Sequence, residues 1–107
     1  MKINIMKESI PYITDVTIAE TTFQFEFTYN SYDKRVYITL YDIDGNLIYS
    51  NEPILFGIPL WFNKLVDEKG NFNKKYPQKY IIPNTLDRKA IKIDYENIDK
   101  IELLVEE

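Results

Sequence analysis

The chain has 107 residues, the length of one ordinary domain, and its 45% hydrophobic and 28% charged residues give a globular rather than a disordered balance. It has no Cys and no His, which excludes a disulfide framework, thiolate or imidazole metal sites, a cysteine nucleophile and a Ser-His-Asp triad. Thirteen basic against seventeen acidic residues leave a net charge of −4, which argues against the basic stripe of a nucleic-acid partner.

In chain order, the first segment is Met1 to Glu8. It carries charges where a signal peptide needs an apolar run, so export by that route is not expected. Ile3 and Ile5 alternate with Lys2 and Asn4 as a short strand. Pro11 and Asp15 break the chain before Val16-Thr17-Ile18. The clearest signal follows. Phe23, Phe25, Phe27 and Tyr29 alternate with Gln24, Glu26 and Thr28, the period of a half-buried strand with its rings on one face. After the polar loop Asn30 to Lys34, a second strand runs from Arg35 to Tyr41. Val36, Ile38 and Leu40 form one face of it; Tyr37, Thr39 and Tyr41 form the other. Asp42-Ile43-Asp44-Gly45-Asn46 reads as a tight turn, with Gly45 free to take positive φ, and Leu47 to Ser50 returns. Residues 21–50 are therefore expected to form a three-stranded antiparallel meander.

The middle is less regular. Ile54-Leu55-Phe56 is expected as a short strand ended by Gly57. Ile58 to Phe62 is expected as an edge or bulged segment, because Pro59 lacks an amide donor. Residues 63–78 are charged and read as a protruding loop. Lys79 to Ile82 pairs again until Pro83-Asn84 stops it. Ala90, Ile91, Ile93 and Tyr95 form one more run, and Ile101, Leu103 and Val105 the last. About seven to nine short strands without an amphipathic helix predict a mainly β, single-domain chain over 1–107, a small antiparallel β-sandwich or barrel. Nothing approaches the ~18 apolar residues of a membrane-spanning helix.

Candidate chemistry is sparse. Asp42 to Asn46 resembles the start of a calcium loop, but Gly45 falls at the fourth position and Pro53 at the twelfth, so a hairpin turn is the better reading. The carboxylates give no facing pair for acid–base work. The three Gly build no phosphate loop. No catalytic residue, cofactor or metal is expected. The aromatic content is 15%, and Tyr and Trp favour interfaces as well as cores. Two patches are interface candidates: Tyr37 and Tyr41, and the run Pro59, Leu60, Trp61 and Phe62. A sugar- or ligand-binding module stacking on Trp61, Tyr37 and Tyr41 is the alternative.

Tyr29-Asn30, Tyr41-Asp42, Gly45-Asn46, and Pro53-Ile54 through Gly57 to Leu60 follow one another in a pattern that resembles the small baseplate plug proteins of contractile-tailed bacteriophages and phage-tail-like particles. Ile10-Pro11 fits the early Ile-Pro of that family. The resemblance covers about residues 10 to 62, and residues 63–80 are richer in Lys and Asn than the family pattern. It implies a non-enzymatic virion protein of the tail baseplate, assembled in the host cytoplasm in several copies. Its implied partners are hub, spike, tube or tube-initiator proteins, with no nucleic acid and no membrane.

Overall fold

The computed structural model describes residues 1–106. It contains two separate antiparallel sheets, which is the sandwich form rather than a closed barrel. The first sheet is a meander of four strands: β2 (Tyr12–Ile18), β3 (Thr21–Tyr29), β4 (Val36–Asp42) and β5 (Leu47–Pro53). The second has three strands in the order β1 (Lys2–Asn4), β7 (Ile101–Val105) and β6 (Ile81–Thr85).

The alternation of β3 and β4 builds the core. Phe25 faces Leu40 and Phe27 faces Ile38 across the ladder, and all four are fully buried. Tyr29 ends the aromatic row at the rim, its ring 4.5 Å from that of Tyr95. From the other sheet come Ile3, Ile81, Ile101, Leu103 and Val105, in one cluster with the first. Burial at ~25 cal/mol per Å² of apolar surface makes this cluster the main stabilising term.

The meander gains a strand that the sequence pattern hides. β2 runs straight through Asp15 and reaches back to Tyr12, and it pairs with β3 in unbroken register from Tyr12↔Phe27 to Ile18↔Thr21. Asp15 does not break it, because its side chain points to solvent on the outer face. The connecting turn is Ala19-Glu20, both at positive φ (50° and 69°), the primed geometry that matches strand twist. Neither residue is a usual left-handed turn former, so the hairpin has no local sequence mark.

Three expected strands are absent. Residues 54–56 and 58–62 form turns instead. The Glu52 carboxylate accepts the Trp61 amide at 2.7 Å, and the Trp61 carbonyl accepts from Lys64 and Leu65. Residues 90–95 also lack a strand partner. There Asn97 supplies side-chain bonds to Asp94 N and Lys92 O, and Tyr95 N donates to the Lys34 carbonyl at 2.7 Å. Conversely, β6 continues through Pro83. The Pro83 carbonyl accepts from Gly57 N at 2.9 Å on the side away from β7, so its missing N–H lies on that side and no ladder bond is lost. Within 63–78, Leu65 and Tyr76 sit in the core, while Lys64, residues 66–72 and both Lys74 and Lys75 are exposed.

Candidate interaction surface

Period-two geometry gives the four-stranded sheet an outer face turned away from the core. The register places Asp15, Gln24, Tyr41 and Leu47 in one row across β2 to β5. Ile13, Glu26 and Thr39 form the next row, and Thr28, Tyr37 and Pro53 another. Leu47 is 60% exposed and Ile13 55%, while Tyr37 and Tyr41 are half-buried. The face is therefore a pleated surface with apolar groups at both edge strands and two phenol rings on a central one.

Hydrogen bonds hold both rings in place. The Tyr41 hydroxyl donates to Glu26 Oε1 at 2.9 Å, and this bond raises the phenol pKa above 10.0. The Tyr37 hydroxyl donates to Asp33 Oδ2. That bond raises the Tyr37 phenol and, with the Arg35 amide, lowers the Asp33 carboxyl below 3.8. Both phenols stay neutral near pH 7 and present flat, fixed rings. Such rings bring contact area with few torsions left to freeze, which suits an interface.

The structure separates the sequence candidates. Tyr37 and Tyr41 share the outer face as the alternation required. Leu60 and Trp61 do not form a surface patch. Their relative exposures are 1% and 2%, and both belong to the core. Trp61 packs edge-on against Phe25, ring centres 5.5 Å apart at 82°, beside Tyr76. The turn at positive φ (55°) that carries Trp61 folds its indole inward. From the run 59–62, Phe62 at 57% exposure and the half-buried Pro59 remain accessible. The three rings of the stacking alternative, Trp61, Tyr37 and Tyr41, consequently share no surface.

Sequence reasoning missed Ile13 and Leu47. Ile13 stands beside the polar Thr14 and Asp15, and Leu47 opens the unalternating run Leu47-Ile48-Tyr49, so only the ladder register shows that Leu47 stands opposite Tyr41 and Ile13 opposite Glu26. The Asp42 carboxylate accepts from the amides of Asp44 and Asn46 and from Asn46 Nδ2, at 2.8 to 3.0 Å. These bonds, led by those from Asn46, lower its pKa below 3.8 and commit both oxygens to the hairpin turn. Among the described residues no group of three or more His, Cys, Asp or Glu could hold a metal ion, and no helix is long and apolar enough to cross a membrane.

The family model described as "Cyanophage baseplate Pam3 plug gp18" matches residues 1–105. No curated protein matches the chain.

Proposed function

The chain belongs to this baseplate plug family, a structural component of the phage virion's tail baseplate that contacts other baseplate proteins, and we propose that it packs at the hub and tail-tube region of a contractile tail without catalysing a reaction. The supporting observation is the outer face of the four-stranded sheet, where Tyr37 and Tyr41 are pinned by carboxylates between exposed Ile13 and Leu47. Fixed aromatic and aliphatic groups with few free charges are what a protein partner buries at the centre of an interface. Several copies per baseplate, contacting hub, spike, tube or tube-initiator proteins, fit this reading, as does a single domain over residues 1–107 with 63–78 as its protruding loop. A standard interface takes about 800 Å² from each partner, roughly an eighth of the chain's 6610 Å² surface, so one such contact leaves room for others.

A photo-crosslinking amino acid at Tyr41 tests this directly. In assembled baseplates it should join the chain to a hub or tube protein, whereas the same group at Ser31, on the loop that follows β3, should react less. Equal labelling at both positions, or none to any tail protein, would remove the outer face from the interface.

A further inference from the structure

Sheets end in edges, and an unpaired edge presents amides and carbonyls that can template another strand. Among the described residues there are four edge strands, and three of them are blunted. β1 is only three residues long. β5 carries register shifts, Asn51 at a φ of 58° and Pro53 at its end. β6 is capped where Gly57 and Leu60 donate to the carbonyls of Pro83 and Ile81 at 2.9 Å. β2 differs from all of these: it has seven residues, no bulge, no Pro and no Lys.

The two-residue turn after β2 makes Ile18 and Thr21 a hydrogen-bonded pair. Alternation then directs the backbone N–H and C=O of Ile13, Asp15 and Thr17 away from β3. None of the turn, loop and cap bonds among the described residues reaches these three. Below this edge, towards β1, lies a groove lined by Lys2, Ile3, Asn4, Met6, Tyr12 and Val16, with Met6 more than half exposed and the Lys2 ammonium paired with Glu102.

We propose that β2 accepts an added antiparallel strand from a baseplate protein other than this one, a segment with alternate apolar side chains over the groove and a Lys or Arg opposite Asp15. The inference rests on the proposed function. Charge selects the occupant. In a two-fold pairing of two copies with full overlap, Asp15 would stand directly opposite Asp15, a repulsive pair, in a chain already at −4. A basic residue at that position turns the same geometry attractive. Strand addition draws its affinity from main-chain bonds and its specificity from alternate side chains.

The test is incorporation into baseplates assembled in infected cells, read by mass spectrometry against the hub. Thr17→Pro deletes one outward amide and leaves the β2–β3 ladder intact, and should lower incorporation about tenfold relative to Thr17→Val, which loses the same hydroxyl bond to Thr22. Asp15→Lys should lower it similarly, and Asp15→Asn less. Wild-type levels of folded Thr17→Pro and Asp15→Lys would overturn the proposal. Should Thr17→Pro not fold, amide exchange in the wild-type chain decides: the amides of residues 13, 15 and 17 should exchange fast in the isolated chain and slowly in baseplates. Equal rates would overturn it, as would an isolated dimer that protects them. Absence of the wild type from baseplates would instead overturn the function on which the inference rests.

Discussion

Trp61 and Tyr41 show how differently two aromatic residues can serve the same chain. Trp61 is core: its indole meets Phe25 and Tyr76, and its Nε1 is buried with no partner, an unmet bond worth about 1–3 kcal/mol that the surrounding packing outweighs. Trp61→Ala should therefore cost about 3–5 kcal/mol of stability by emptying that space. Tyr41→Ala should cost about 1 kcal/mol or less and instead reduce baseplate incorporation. Chemical denaturation of both variants separates the roles, and a mild Trp61→Ala would contradict its placement in the core. Glu52 supports the same turn through its bond to the Trp61 amide. Burial raises its carboxyl above the ordinary 4.5, opposed in part by that amide. The folded chain holds the proton more tightly than the unfolded one. The stability this group contributes is present below the ordinary value and is lost as pH rises through the raised one. Glu52→Gln keeps an acceptor and removes the ionisation. Its melting temperature should gain on the wild type as pH rises from about 4.5 towards 7. A gap that narrows over this range would contradict the assignment.

At the scale of elements, the hairpins divide into those the chain announces and one it conceals. The β4–β5 turn is announced by Asp42 and Gly45: Gly45 takes a φ of 84°, its amide donates to the Asp42 carbonyl at 3.0 Å, and the Asp42 carboxylate caps the loop. The β2–β3 turn places Ala19 and Glu20 in the left-handed region against their preference. Replacing the pair by Asn-Gly should raise stability by about 1 kcal/mol, measured by thermal melting, and a lower melting temperature would contradict the primed turn. The same contrast explains what was legible. Strands β3, β4 and β7 advertise themselves because each buries one side in a two-residue period. The segments 54–62 and 90–95 are also apolar, but their backbone bonds are those of turns: Gly57 and Leu60 donate to the carbonyls of Pro83 and Ile81, Trp61 donates to the Glu52 carboxylate, and Asn97 bonds to Asp94 N and Lys92 O, none of which apolar content can show. Tyr37 and Tyr41 were legible as a surface pair for the same reason as the strand that bears them. Leu60 and Trp61 were not placed, since only the turn at residue 61 decides which way the indole goes.

Across the whole molecule, the described residues give two sheets around one core, and the contacts proposed above lie on a sheet face and a sheet edge. That arrangement suits a part whose task is to be held by its neighbours. It also carries a hazard, because Ile13 and Leu47 leave apolar surface on the outer face of the four-stranded sheet when no partner is present. The isolated chain should therefore self-associate as its concentration rises, and sedimentation should show this. A sharp, reversible melt of a monodisperse monomer at high concentration would contradict the expectation. As a member of this family, the chain is proposed to be an assembly part at the hub and tube end of the baseplate. Cryo-electron microscopy of intact tails tests it most directly. The expected result is density at that position which fits both sheets, with Tyr37 and Tyr41 covered by a neighbouring protein. An intact baseplate whose density at that position belongs wholly to other proteins would contradict the claim.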